Sequence, residues 1–302
     1  MRIAVTGTSG RIGRAIHFCL SSDHEVIGID RALSSATSVV GDIHDVGLLE
    51  RSFEGAQAVV HTAALHAPHV GIVPDEDFLL TNIEGTRNVV RAAKRAGVET
   101  LVFTSTTALY GHAVDEDLKR AAWIDEATHP LPKSIYHRTK LTAESYLASE
   151  ASDRFRITTL RMSRCFPEPA PLMAAYRLHR GVDARDVADG HRLAIIKPGK
   201  PYRTFILSGR TPFEPADGEG LRSDAPTILR QRCPELGDAF DKRGWSLPAS
   251  IDRVYDSTQA QNELRWQPRY GFDSVLSLLD SQICEVLPPR AAESWSLTQA
   301  QE

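Results

Sequence analysis

RIAVTGTSGRIG, running from Arg2 to Gly13, decides the fold of this 302-residue chain. Arg2 to Thr6 reads as a short apolar strand, and Gly7, Gly10 and Gly13 punctuate the turn that follows. Ile12, Ala15, Ile16, Cys19 and Leu20 then recur at helical spacing. Glycines in such a turn permit unusual backbone angles and the close approach of a pyrophosphate, whose charge sits on the helix N-terminus. The next apolar run, EVIGID, ends at Asp30, roughly the ~20 residues on at which a carboxylate grips an adenosine ribose. A lone glycine turn is weak evidence. Strand, glycine turn, amphipathic helix, strand and terminal acid in that order predict a dinucleotide site.

Composition permits this reading without proving it. A chain 42% hydrophobic and 25% charged is ordinary for a globular protein and long enough to bury a large core. The formal net charge of -4 gives no electrostatic case for nucleic acid or a membrane surface as partner. No apolar stretch approaches the roughly 20 residues needed to cross a bilayer, and the N-terminus enters a strand at once, leaving no room for a signal peptide. Cys19, Cys165, Cys233 and Cys284 form no paired spacing. Reduced, mostly buried thiols in a cytoplasmic protein are the expectation.

From the N-terminus to Met162 strand and helix alternate. The strand candidates are RIAV, EVIGI, TSVV, AVVHTA, TLVFTS and ITTLRM, and Asp77 to Ala96 is amphipathic, with Phe78, Ile83, Val89, Val90 and Ala93 as its apolar face. Such alternation predicts a parallel sheet covered by helices on both sides. After Met162 the texture changes: prolines at 167, 169 and 171 break the pattern. Helix-like segments lie near Ala225–Arg232 and Asp273–Val286, and YRTFILSG is strand-like. The expected organisation is a nucleotide-binding α/β domain over 1–162 and a mixed region over 163–287. That region holds a small substrate lobe and elements returning to the core. Residues 288–302 are expected to form a flexible tail.

The chemistry sits mid-chain. Tyr136 and Lys140 in YHRTK are four residues apart within a helix-forming segment, Ser134 to Ala151. At that spacing both side chains share one helical face, about 5–6 Å apart at Cβ. A phenol with a reference pKa near ~10 is a poor base. A neighbouring ammonium and the positive ring of an oxidised nicotinamide would lower that value. Tyr136 could then take a proton from a substrate hydroxyl while hydride leaves the same carbon. Upstream, TLVFTSTTALYG reads as a strand ending in four hydroxyl residues, Thr104 to Thr107. The carboxyl end of a parallel strand is where ligands bind, although hydroxyls there also satisfy backbone groups.

TGTSGRIG, Asp30, Gly41-Asp42, HTAAL at 61–65, Asn82 with Gly85-Thr86, FTSTTALYG and YHRTK together resemble the extended short-chain dehydrogenase/reductase superfamily. More narrowly the chain resembles its NAD-dependent epimerase/dehydratase branch, which acts on sugars and nucleotide sugars. VDARDVADGHRLAI and YDSTQAQNELRWQP extend the likeness through nearly the whole chain. The resemblance implies a Rossmann-type doubly wound sheet and NAD as cofactor. It makes Tyr136 the acid/base, Lys140 its electrostatic partner and a holder of the nicotinamide ribose, and Thr106 the substrate-orienting hydroxyl. It also implies a cofactor cleft built from Gly7, Ser9, Gly10, Arg11, Ile12 and Gly13, with Thr104 alongside. Asp42 and Ile43 would recognise adenine, Ala63 and Ala64 would line the cleft, and Asn82 would stand near the cofactor and a water network. Asp30 argues for NAD because a carboxylate repels a 2′-phosphate, whereas Arg11 and Arg31 could each meet one.

Departures from the family pattern narrow the reaction. Sugar 4,6-dehydratases carry an Asp-Glu pair after the catalytic hydroxyl, where this chain has Thr107 and Ala108. The short turn Cys165-Phe166-Pro167-Glu168-Pro169 resembles that of sugar-acid (uronate-type) dehydrogenases, whereas LYG after the hydroxyl run is typical of epimerases. Arg164 and Arg185 are candidate anchors for a carboxylate or phosphate, or else structural ion pairs to residues such as Asp183 and Asp186. His66 and Thr107 are further candidates for substrate contact. His61, His66 and His69 are read as neutral, hydrogen-bonded histidines and not a zinc site, since no thiolate or HExxH pattern supports a metal. Trp245, Trp266 and Trp295 are read as packing residues, and Tyr176, Arg177 and Arg180 as an exposed helix face.

Three functions remain open on these residues. The first is NAD-dependent oxidation of a carbinol in a sugar or sugar acid. The second is epimerisation of a nucleotide sugar by tightly held NAD. The third is a dinucleotide-binding sensor without turnover, against which the intact Thr106, Tyr136 and Lys140 argue. The superfamily resemblance also implies a homodimer built from two long helices flanking the sheet.

Overall fold

The computed structural model describes residues 1–111, 119–197 and 199–289. The expected tail, beyond Pro289, and Trp295 lie outside the described residues. Nine strands are present among those described: β1 Arg2–Thr6, β2 Glu25–Asp30, β3 Val39–Val40, β4 Ala58–His61, β5 Thr100–Thr106, β6 Ala122–Ile124, β7 Arg156–Met162, β8 Tyr202–Leu207 and β9 Arg253–Tyr255. Seven of them form one parallel sheet in the order β3-β2-β1-β4-β5-β7-β8. The order reverses direction at β1, which is the doubly wound arrangement.

Period-2 alternation explains why this sheet is covered twice. On one face Ile3, Val5, Val60, Val102, Leu160 and Phe205 pack against helices Arg11–Leu20 and Ala184–Ile196 and the indole of Trp266. On the other, Ala4, Ile29, Val59, Leu101 and Ile157 pack against helices Val46–Phe53, Gly85–Arg95 and Ile135–Glu150. A strand buried on both faces must be apolar at nearly every position, as β1 and β4 are. A separate core gathers Met173, Leu221, Leu229, Leu236, Phe240 and Val275 from the C-terminal helices with Val254 of β9, and β9 pairs with β6 as a two-stranded parallel sheet.

The structure corrects several expectations. TSVV contributes only Val39–Val40, and the strand of AVVHTA ends at His61. Strands β6 and β9 carried no signal in the sequence, being three residues each. The amphipathic stretch from Asp77 to Ala96 is not one regular helix: Asp75–Phe78 runs into a π-helical segment, Leu79–Glu84, before Gly85–Arg95. YRTFILSG, read as strand-like, becomes β8 at the edge of the sheet, paired in register with β7. Helix-like Asp273–Val286 is helical over Phe272–Asp280. Of the thiols expected to be mostly buried, Cys165 and Cys233 are, Cys19 is half-buried and Cys284 is exposed. No helix among the described residues is long and apolar enough to cross a membrane.

Candidate active site

A cleft of about 2800 Å³ runs along the carboxyl ends of β1, β2, β4, β5 and β7. One small-molecule site occupies about 300–1,000 Å³, so this cleft has room for two ligands side by side. Its wall begins at the glycine turn. Gly7 has φ +80°, and a Cβ there would meet the Ala63 amide nitrogen at 2.6 Å. A Cβ on Gly13 would lie 2.0 Å from the Gly7 carbonyl oxygen. Neither position admits a side chain. Helix Arg11–Leu20 follows with no side-chain cap on its first turn, leaving amide donors and the positive end of the helix dipole for an anion.

Asp30, at the end of β2, accepts bonds from the Ser9 and Ala32 amides, both at 2.9 Å. Its carboxylate is thereby fixed at the rim where a ribose would lie. Asp42 accepts from the His44 amide and pairs with the His44 ring at 2.7 Å. Arg31 reaches Asp42 only at 3.9 Å and is largely exposed, and Arg11 is paired with Glu285. The glycine cradle, the uncapped helix start and the fixed carboxylate fit a nicotinamide dinucleotide.

The catalytic candidates stand where β5 meets helix Ile135–Glu150, whose N-cap is Ser134. The Tyr136 hydroxyl bonds to Thr106, and burial pushes the phenol up to about 12 against the opposing effect of that bond. The expectation that the value is lowered is not met in the protein alone: desolvation dominates, and the opposing effect comes from Thr106. Lys140 is itself buried, donating from Nζ to the Thr104 carbonyl at 2.6 Å and lying 3.8 Å from the Phe103 ring centroid. Burial brings it down to about 7, opposed by Glu144.

Thr104 is held from the other side by His191. The His191 Nδ1 lies 2.8 Å from the Val187 carbonyl, which can only accept. In a neutral ring its Nε2 must therefore accept from the Thr104 hydroxyl, at 2.8 Å. His61 is neutral too, brought down to about 3 by burial and then by Lys140. Its two ring nitrogens lie 2.8 and 3.0 Å from the Thr6 and Thr86 hydroxyls. No metal-binding group of three or more His, Cys, Asp or Glu exists among the described residues.

Every residue named above as a cofactor or substrate candidate lines the cleft except Asn82. Asn82 is buried behind its wall. Its amide accepts from the Leu65 nitrogen at 2.8 Å and donates to the Leu65 carbonyl and the Thr139 hydroxyl. It ties the loop of Ala63 and Ala64 to the catalytic helix, and both of its amide hydrogens are used in doing so. On the far wall, Arg164 pairs with Glu168 at 2.5 Å and sits over the Phe166 and Tyr176 rings. The Phe166 ring in turn stacks on His66. Arg185 pairs with Asp183 at 2.8 Å and stacks 3.5 Å from the Tyr270 centroid.

Tyr176, Arg177 and Arg180 are not an exposed face. Arg177 is 2% exposed and bonds Asp183 at 2.9 Å, Tyr176 is buried, and Arg180 lies within 3.7 Å of Asp252. Their charges read as solvent-facing, but each arginine finds a carboxylate. Trp266 is fully buried as a packing residue, donating to the Asp186 carbonyl. Trp245 packs on Phe240 but also lines the cleft. The residue that sequence reasoning missed is Glu144. It lies one turn beyond Lys140, buried between Ser105 and Arg161, and an acid on the buried face of the catalytic helix was the available signal.

Residues 3–208 match the NAD dependent epimerase/dehydratase family. An L-arabinose 1-dehydrogenase (NAD(P)(+)) of Haloferax volcanii is 34% identical over 169 residues, covering 53% of this chain and 65% of that protein. The match thus spans just under two thirds of that relative's length. A dTDP-glucose 4,6-dehydratase of Streptomyces antibioticus is 28% identical over 90% of this chain and 89% of its own. The fold is shared with the UDP-glucose 4-epimerase of Thermus thermophilus solved with NAD, at TM-score 0.67 and 21% identity over 93% of this chain and 98% of that one. With the glycine cradle and the Thr106, Tyr136 and Lys140 cluster in place, the chain is an enzyme of the NAD-dependent epimerase/dehydratase family, within the extended short-chain dehydrogenase/reductase superfamily.

Proposed function

We propose that this enzyme oxidises a carbinol of a sugar or sugar acid, with NAD as the acceptor. The observation that carries the reading is the contact of Tyr136 with Thr106 beside a Lys140 anchored on Thr104. Bound NAD supplies the hydride acceptor. Thr106 orients the substrate hydroxyl, and Tyr136 Oη takes its proton. Lys140 would hold the nicotinamide ribose and, in its charged form, would favour the phenolate, an effect to which the positive charge of oxidised NAD would add. Thr107 and Ala108 offer no acid or base for the elimination that a 4,6-dehydratase performs. The dehydrogenase activity named for the Haloferax relative supports net oxidation.

The substrate end of the cleft suits a sugar carrying an anionic group, through Arg164 and Arg185. The apolar groove of Leu79, Leu80 and Ile83 beside Thr142 supports a homodimer formed through the segments flanking the sheet. The four free thiols suit a cytoplasmic setting. The test is absorbance at the nicotinamide band during incubation with NAD and a panel of neutral sugars, sugar acids and nucleotide sugars. Accumulation of NADH is the expected result. Copurified NAD with interconversion of sugars and no net NADH would replace oxidation by epimerisation.

A further inference from the structure

Ser105 stands between the two residues of β5 that hold the catalytic pair. The carbonyl of Thr104 accepts from Lys140, and Thr106 bonds Tyr136. Ser105 itself faces the opposite side of the strand, where its hydroxyl donates to Glu144 Oε1 at 2.5 Å. Ser105 and Arg161 are register partners on the adjacent strands β5 and β7. Arg161 forks onto the same carboxylate, with Nε 3.1 Å from Oε1 and Nη2 2.6 Å from Oε2. One buried carboxylate on the catalytic helix therefore grips both strands beneath the site.

We propose that Glu144 is a positioning residue that, through Ser105, holds Thr104 and Thr106 in the register needed by Lys140 and Tyr136. Glu144 lies two turns beyond Tyr136 on one face of the helix, so helix and strand are pinned both above and below the reacting groups. The Arg161 ion pair fixes the carboxylate and the Ser105 bond transmits its position. Glu144 also opposes the loss of charge on Lys140. The other groups around this carboxylate are the Tyr110 hydroxyl, 2.7 Å from Arg161 Nη1, and the Tyr202 hydroxyl, 3.4 Å from the Glu144 carbonyl oxygen. The inference rests on Tyr136 and Lys140 being the acid/base pair.

Glu144→Ala would strand a buried guanidinium and risks unfolding the protein, so the test removes the other end of the link. Ser105→Ala leaves the ion pair intact, and Ser105→Thr restores the donor. Turnover and NADH affinity, read by nicotinamide fluorescence, are measured for both beside Tyr136→Phe. Ser105→Ala is expected to lower kcat by about 10–100-fold, the scale of a slightly misplaced catalytic group, and to weaken NADH binding. Its thermal midpoint should stay near that of the parent. Ser105→Thr should recover both properties. Wild-type kcat or NADH affinity in Ser105→Ala overturns the proposal, as does a Ser105→Thr protein equally stable but as impaired as Ser105→Ala. If Tyr136→Phe retains full turnover, the acid/base assignment falls and this inference falls with it. If only Ser105→Ala is unimpaired, the assignment stands and this inference alone fails.

Discussion

The carbonyl oxygen of Thr104 accepts a hydrogen bond from Lys140 Nζ at 2.6 Å, within a pocket that leaves Lys140 only 3% exposed. An ammonium so placed is short of water. Its folded pKa, near 7, lies well below the ordinary lysine value of 10.5. Between those two values the unfolded chain holds a proton that the folded chain has released, so stability rises with pH across that window. Lys140→Met should abolish this dependence. Relative to the variant, the parent should gain up to about 1.4 kcal/mol per pH unit between pH 8 and 10, measured as urea midpoints at each pH. Parallel curves for the two proteins would show that Lys140 stays charged.

Tyr136→Phe should keep dinucleotide binding, because Lys140 and the helix face persist, and lower kcat by about 10²–10⁴, the range for a lost general acid/base. The phenol is buried and bonded to Thr106 in the neutral form, so the variant loses one hydrogen bond and no charge. Its thermal midpoint should therefore change little. A steady-state rate beside an NADH titration checks both halves.

Asp30 should set the choice of dinucleotide. Its carboxylate cannot swing away from a 2′-phosphate, because both oxygens are held by the Ser9 and Ala32 amides. Two like charges about 4 Å apart at a protein surface repel by ~1–4 kcal/mol, which makes NADH the tighter ligand by at least about fivefold. Asp30→Ala should narrow that gap, read from paired titrations with NADH and NADPH. Tighter binding of NADPH by the unmodified protein would contradict the assignment.

Arg164 is the stronger of the two anchor candidates, since it stands over Phe166 opposite His66. Arg185 gives both Nε and Nη2 to Asp183, whereas Arg164 meets Glu168 through Nε. Arg164→Ala should raise KM for anionic sugars by about tenfold or more, leave kcat nearly unchanged and spare neutral sugars. Arg185→Ala should discriminate less. Equal KM values across both substrate classes in the Arg164 variant would make that residue structural.

Three histidines predict sensitivity to acid. Burial holds His61 near 3 and His191 near 4, and pushes His179 down as well. Below pH 6.5 the unfolded chain takes up protons that these folded rings refuse, so stability falls as pH drops toward 4. Each ring contributes up to about 1.4 kcal/mol per pH unit in that interval. His191→Asn should flatten the pH dependence of the urea midpoint between pH 6.5 and 4.5. An unchanged slope would mean that the ring is protonated in the native state.

The sheet was legible because parallel strands buried on both faces are written as apolar runs, and because Gly7 and Gly13 sit where no side chain fits. Tyr136 and Lys140 were legible from a four-residue spacing. Glu144 was not recognised, although it continues the same period, because a lone glutamate in a helix ordinarily faces water. Its burial depends on Arg161, which belongs to another strand. The same physics hid Arg177: its partner Asp183 is near in sequence, yet nothing local marks the pair as buried. Asn82 was read as standing near the cofactor, and no local signal shows that Leu65 claims both ends of its amide. Strands β6 and β9 are too short to show a period, and only their pairing defines them.

That pairing bears on how the chain folds. Ala122–Ile124 finds its neighbour only in Arg253–Tyr255, and Tyr255 then reaches back to donate to the Thr107 carbonyl at 3.3 Å. Closing so long a loop has a large entropic cost before any contact repays it. The glycine turn and the strands around it can assemble from neighbouring segments as they leave the ribosome. The substrate end must wait for residue 255. Until residue 255 is made the β6 edge is unpaired and Tyr110 lacks its aromatic neighbour Tyr255, and the sheet face that Trp266 covers is likewise still open. Nucleotide that binds only the finished cleft would therefore draw the chain toward its closed state by mass action.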